Sequence, residues 1–552
     1  MTLSLLRCSL LIGITSLYFL FIPGCSTQGD EETRASNKEI SSAVSINLGG
    51  IYRSPLMNNP STLDPAYVQD QYGLAVTRQL FDGLVKFGPD LMLMPALAKT
   101  WQVEENGKVY RFFLSPNARF HNSRPVTVHD VVFSLSRLLR VNPPPAILPH
   151  LLKITGAEDF RSHKTKRVEG LYTISDHELL IRLNAPHIPF LTALGMYHAA
   201  IVPKEEVEKS GKIFAQNPVG SGPFRFVSWE KDKSIRLKRF TDYYSGAAFL
   251  DEIRYQIYPG VNIERALSDF KKGNLEEMPL RWNIRQELSS IKGLQWFQRP
   301  SLSLLFYGIR EDHSFLRNPY FRKALSSAID RDKFIKEVAK NQFNPARTIL
   351  PPGMPVYKQK NEMLVDDLKV AQDYLNRAIK QETGPIPAVE IVSGSRSAFA
   401  KAELNFIQKS WAQLGVPVNI KFITNWEEFE NYLRSDAVQI YRYAWFADIP
   451  DPDSFLYPLL ASDSPVNFMR FKDSRVDKML LDARGIVDPV KRAEMYRKIE
   501  AIVLESSSII PLFYLSVDRV YQPGVQGINV SALGAQSMTL HRIWLKGEPV
   551  LK

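Results

Sequence analysis

The chain has 552 residues, with 69 Lys and Arg against 58 Asp and Glu for a formal net charge of +11, and only two cysteines. At 45% hydrophobic and 23% charged residues it is ordinary globular material, long enough for two or three domains. The positive excess is modest for this length, and its clusters at Lys164–Arg167 and Lys231–Arg239 lack the glycine and aromatic interleaving of a nucleic-acid module, so no nucleic-acid partner is expected.

The first residues point to export. Arg7 precedes an apolar run of fifteen residues, Cys8–Ile22, which is signal-peptide length and short of the roughly 20 residues that cross a hydrocarbon core. The run ends in Ile22-Pro23-Gly24-Cys25, which resembles a bacterial lipobox but carries Ile22 where leucine is usual and Pro23 where a small residue is usual. Residues 1–24 therefore read as a signal peptide, Cys25 as the lipidated first residue of the mature chain, and residues 25–40 as a polar tether. The other cysteine, Cys8, is removed with the signal, so no disulfide is expected within the mature chain.

Strand and helix signals then alternate, which predicts an α/β protein. Ala43–Leu48 and Val109–Leu114 alternate as strands. Thr127 and Asp130 form a capping-box pair ahead of Val131, Val132, Leu135, Leu138 and Leu139. A turn on Gly220 and Gly222 feeds a hairpin of Phe224–Trp229 and Ile235–Phe240. Asn318-Pro319 opens another helix; Ile407, Trp411 and Leu414 recur at helical spacing before Gly415. A strand at Val418–Phe422, a helix over about Pro489–Leu504 and a strand at Ile509–Leu515 complete the series. No clean linker or internal repeat divides the chain.

Five stretches carry a resemblance: LDPAY at Leu63–Tyr67, YRFFLSPNARFHNSRPVTVHDVVF at Tyr110–Phe133, NPVGSGPFRFVSWEKDKSIRLKRFTDYY at Asn217–Tyr244, FRKALSSAIDRDKFI at Phe321–Ile335 and YRYAWFADIPDPDSF at Tyr441–Phe455. Together they resemble the family 5 extracellular solute-binding proteins, the group of oligopeptide- and dipeptide-binding proteins of ABC importers. The resemblance implies a two-lobed, periplasmic-binding-protein-like α/β fold of type II in its large three-domain form. The first domain would take residues 41–71, 199–298 and 515–552, the second 72–198 and the third 299–514. Ligand would be enclosed between the first and third domains as they close.

The same resemblance places Asp448, in the string Trp445-Phe446-Ala447-Asp448, against the α-amino group of a bound peptide. Physically, a carboxylate among aromatics is costly until an opposite charge arrives; the alternative is an aspartate that caps the turn at Pro450 and Pro452. Arg442 is expected to face ligand as a carboxylate fork, or else to close a salt bridge within its lobe. Trp445 and Phe446 would floor the cavity or pack beneath it, and Tyr443 is a weaker candidate wall.

Enzyme signatures are missing from the sequence. His177-Glu178 lacks the second histidine of a zincin helix, His121 and His129 lie across a turn, and no GxSxG elbow or nucleotide loop occurs. The expected protein is a monomeric, non-enzymatic lipoprotein without cofactor or metal, in the periplasm or at the cell surface, anchored to the membrane through its N-terminal lipid. It would deliver oligopeptides to an ABC permease and ATPase. The alternatives are an envelope lipoprotein used for attachment or scaffolding, and a cargo of cell-wall peptide, metal chelate or haem.

Overall fold

The computed structural model describes residues 48–546 apart from 281, 314, 355–363, 383 and 535–536. The signal run, Cys25, the tether and all of the first expected strand except Leu48 lie outside the described residues, and Leu48 belongs to no strand. The first strand is Ile51–Leu56. It pairs in parallel with Glu252–Ile257, and the sheet continues antiparallel through Ser234–Arg239 to Phe224–Glu230. The last two are the expected hairpin: Ile235 and Leu237 enter the core, while Arg236 on the other face holds Glu252 at 2.8 Å.

The turn before this hairpin lies hard against the end of a helix, Gln71–Leu80, which starts on the Asp70 carboxylate accepting from the Tyr72 and Gly73 amides at 3.0 and 2.8 Å. A Cβ on Gly220 would stand 2.0 Å from the Leu80 carbonyl oxygen, and one on Gly222 2.6 Å from that of Gln79. Close approach, not a left-handed backbone, therefore requires both glycines. His121 locks the turn in place: its Nδ1 accepts from the Gly220 amide at 3.2 Å and its Nε2 donates to the Gly222 carbonyl at 3.1 Å. Burial pushes its pKa down to about 4, which keeps the ring neutral for both roles.

A second, antiparallel sheet runs Ala98–Glu104, Val109–Leu114, Glu178–Arg182, Leu171–Ser175 in spatial order. The helix Val128–Leu138 covers it. Asp130 reaches back to the Thr127 amide at 2.9 Å, and Val131, Leu135 and Leu138 pack with Phe112, Leu179 and Ile181 in one core.

The third sheet has six strands in the order Asn344–Pro345, Ile509–Tyr514, Ser303–Ile309, Ile440–Phe446, Val389–Ser393, Val418–Phe422. Its central strand Ser303–Ile309 is buried throughout. Leu304 and Phe306 enter one core cluster while Leu305, Tyr307 and Ile309 enter another, so helices cover both faces, as a continuous apolar run demands. The expected helices appear as Pro319–Ser327, Ala398–Ala412 and Pro489–Ser506, started by Asn318, Ser397 and Asp488 respectively.

Two adjacent chain crossings join this sheet to a three-stranded one made of Glu277–Pro279, Ser516–Tyr521 and Gln295–Pro300. Gln295–Pro300 runs on into Ser303–Ile309, and Ile509–Tyr514 into Ser516–Tyr521. Between them the Ser301 amide donates to the Leu515 carbonyl at 2.8 Å, and the Leu515 amide donates to the Ser303 hydroxyl at 3.1 Å. Among the described residues no helix is long and apolar enough to cross a membrane.

Candidate functional site

The strand Ile440–Phe446 positions the expected site residues, and its two-residue period separates them. Arg442 departs from the expected ligand-facing fork. Its Nε and Nη2 donate to the two carboxylate oxygens of Glu403 at 2.9 and 2.8 Å. Glu403 is fully buried and also accepts from the Tyr307 hydroxyl at 2.8 Å. A buried carboxylate needs a cation, and Arg442 is that cation; the lobe-internal alternative is the one realised.

Tyr443 and Trp445 point to the opposite face and pack rather than line a cavity. The Tyr443 ring lies 6.1 Å from that of Phe306 and 6.4 Å from that of Phe429. The Trp445 indole donates to the Ser454 carbonyl at 2.7 Å. Because Ser454 Oγ in turn accepts from the Asp448 amide at 3.1 Å, Trp445 fixes the loop that carries Asp448.

After Phe446, itself 56% exposed, the chain leaves the sheet. The Ala447 amide donates to the Leu302 carbonyl at 2.9 Å. Asp448 remains accessible, and among the described residues no hydrogen bond or ion pair reaches its carboxylate. The turn around Pro450 and Pro452 does not use it. That turn is held by Asp451, which accepts from the Asp453 amide at 2.9 Å and grips Arg492 at 2.7 and 2.8 Å, and by Asp453, which holds Arg484 at 2.8 and 2.9 Å. Although the side chain is exposed, partial desolvation by the surrounding walls raises its pKa, and among the described residues no cation opposes that rise.

Asp448, Ala447, Phe446 and Leu302 form one side of a cavity of about 530 Å³. The facing side comes from the helix Gln71–Leu80, the turn Tyr197–Ala199 and the strand Ser516–Tyr521, which contribute Arg78, Tyr197, His198, Asp518 and Arg519. Arg519 is closed on Glu277 at 2.6 Å. Arg78 forms no hydrogen bond or ion pair among the described residues, and burial lowers its pKa against the opposing field of Asp82. Asp518 Oδ1 and His198 Nδ1 are buried without a hydrogen-bond partner. Burial pushes the Asp518 carboxyl up to about 6 and the His198 ring down to about 4.

Sequence reasoning missed this facing wall. Arg78 sits in an ordinary helix, and only Asp518, the acid in the string Ser516-Val517-Asp518-Arg519-Val520, offered a signal. Among the described residues no group of three or more His, Cys, Asp or Glu side chains is placed to hold a metal.

Residues 92–466 match the family model described as bacterial extracellular solute-binding proteins, family 5 Middle. The chain belongs to this family. Family 5 relatives agree over nearly the whole length. The oligopeptide-binding protein OppA of Bacillus subtilis is 23% identical over 95% of this chain and 97% of its own. Heme-binding protein A of Haemophilus influenzae is 25% identical over 83% and 86%. Among solved structures, the unliganded open form of the periplasmic murein tripeptide binding protein MppA superposes with a TM-score of 0.81 at 23% identity, covering 91% of this chain and 99% of that one.

The fold is the two-lobed, type II periplasmic-binding-protein-like architecture. The protein is an extracytoplasmic solute-binding component of the kind that serves ABC import, and not a catalyst.

Proposed function

We propose that this protein captures oligopeptides by their free α-amine at Asp448 and passes them to an ABC permease and ATPase. The observation that carries this reading is the unpaired Asp448 carboxylate at the edge of an interlobe cavity, left out of the ion pairs that hold its own turn. A peptide ammonium is the cation it lacks. Arg78 on the facing wall suits the other end, a ligand carboxylate. Main-chain hydrogen bonds would supply the remaining affinity without reference to side-chain identity.

In the same reading the chain is lipidated at Cys25, so that capture takes place at a membrane surface. Haem is the second cargo that a relative's name brings forward. Charge argues against it. Among the described residues, two unpaired carboxylates, Asp448 and Asp518, line a cavity with one unpaired guanidinium, a poor site for a ligand that brings two propionates. A scaffold protein would have no use for an unpaired carboxylate in an interlobe cavity.

Calorimetry with a free and an N-acetylated form of one peptide, on the wild type and on Asp448→Asn, tests the proposal. Breaking an enclosed ammonium–carboxylate pair costs about 3 to 5 kcal/mol, which is more than roughly a hundredfold in affinity. The free peptide is expected to lose this much on Asp448→Asn. The acetylated form should bind the wild type weakly and lose little further. Equal losses for both forms would make Asp448 a structural residue and remove the amine from the account.

A further inference from the structure

Asp518 is not needed by the fold around it. Its backbone carbonyl accepts from the Leu280 amide at 3.0 Å, which fixes the strand, but its side-chain Oδ1 is buried and unpartnered in the wall of the cavity. The neighbouring cations are spoken for. Arg519, next in the chain, points its guanidinium to Glu277. Arg285 acts on Asp518 only at a distance, and its guanidinium lies 5.7 Å over the Trp296 ring.

Among the described residues, the cavity therefore contains two carboxylates without partners, Asp448 and Asp518, and one guanidinium without a partner, Arg78. The two ends of a zwitterionic peptide satisfy one carboxylate and the guanidinium. One negative charge remains in excess. A buried carboxylate without a hydrogen bond is costly, and the group that relieves it must donate hydrogen bonds and carry positive charge.

We infer that Asp518 is a second cation-binding position of the ligand cavity, one that selects peptides bearing a lysine- or arginine-type side chain in addition to the α-amine. This inference rests on the peptide reading of the cavity and deepens it. Asp448 recognises what every free peptide has; Asp518 distinguishes among peptides. Acidic peptides, which would add negative charge to a site already in excess, are selected against.

The experiment is a competitive capture. The full mature protein is incubated with an equimolar pool of tri- to pentapeptides in which lysine at each position is matched by uncharged norleucine, which keeps the four-carbon stem and lacks the ammonium. Retained peptides are separated by gel filtration and quantified by mass spectrometry. For the wild type, lysine peptides are expected to be enriched over their norleucine partners by roughly tenfold or more, the scale of one charge-assisted hydrogen bond. Asp518→Asn is expected to abolish the enrichment while total peptide retention persists.

The norleucine comparison needs no protein variant, so the inference stays testable even where the substitution disturbs folding. Retention without preference for lysine overturns the Asp518 inference and leaves peptide capture standing. So does a preference that survives Asp518→Asn. Retention of no peptide by the wild type overturns the peptide reading and this inference together.

Discussion

Replacing Arg442 by methionine separates a structural role from a ligand-binding one. The substitution keeps apolar volume and leaves Glu403 buried with only the Tyr307 hydroxyl for company. The stranded carboxylate is left without a compensating charge. Leaving one partner of a buried ion pair uncompensated costs about 3 to 5 kcal/mol. That loss should lower the melting temperature by several degrees at pH 7. Glu403→Gln added to Arg442→Met should recover most of it, because a neutral amide does not need the cation. Differential scanning calorimetry, with peptide titrations on the same samples, provides both readouts. Peptide affinity should change by less than about twofold. A variant that keeps its melting temperature and loses affinity would refute the reasoning and return Arg442 to the ligand.

Three further outcomes follow. Saturating peptide should reduce the radius of gyration in solution scattering and raise the melting temperature, whereas acetate or ammonium at the same concentration should do neither; an unchanged profile would remove closure about the paired crossings at Ser301 and Leu515. The Asp518 carboxyl titrates at about 6 in the folded state against about 3.9 unfolded. Below about pH 4 it contributes nothing, and as pH rises to 6 the unfolded chain releases its proton first, so stability falls and stays lowered above that. Asp518→Asn should therefore raise the melting temperature of ligand-free protein at pH 8 and leave it unchanged at pH 4; no gain at pH 8 would refute the assignment. A palmitate analogue should label the wild type and spare Cys25→Ala, and equal labelling of both would place the mature N-terminus elsewhere.

Local elements with strong signatures were legible in the sequence. The Phe224–Glu230 and Ser234–Arg239 hairpin, the Asp130 capping contact and the strand Val418–Phe422 appear where period and caps placed them. These signals are written within a few residues. The placement of Arg442 was not legible, because strand period says only that 442 and 448 are six residues apart and not which neighbour occupies each face. Its partner Glu403 lies on a helix 39 residues away. His121 shows the same limit. The sequence shows only that it lies across a turn from His129, whereas it clasps Gly220 and Gly222 about a hundred residues on. The facing wall was hard to see for the same reason: Arg78 and Asp518 line one cavity only because the strand Ser516–Tyr521 returns to pair with Glu277–Pro279 and Gln295–Pro300.

The distribution of charge in the cavity also bears on how binding drives closure. Asp448 belongs to one wall, and Arg78 and Asp518 to the other. Closing an empty cavity would bring Asp448 toward a carboxylate of the same sign and strip water from an unpaired guanidinium, so the closed, empty state is penalised. A ligand that carries an amine and a carboxylate removes both penalties at once. It stabilises the closed arrangement by more than it stabilises the open one, and that difference is the only quantity by which a ligand shifts such an equilibrium. Main-chain hydrogen bonding contributes affinity to any extended peptide and so cannot supply this discrimination. On the proposed reading, charge at the ligand's ends is what reports occupancy to the importer. A basic side chain at Asp518 would strengthen the signal, whereas an end-blocked peptide, even one that binds, would close the lobes poorly.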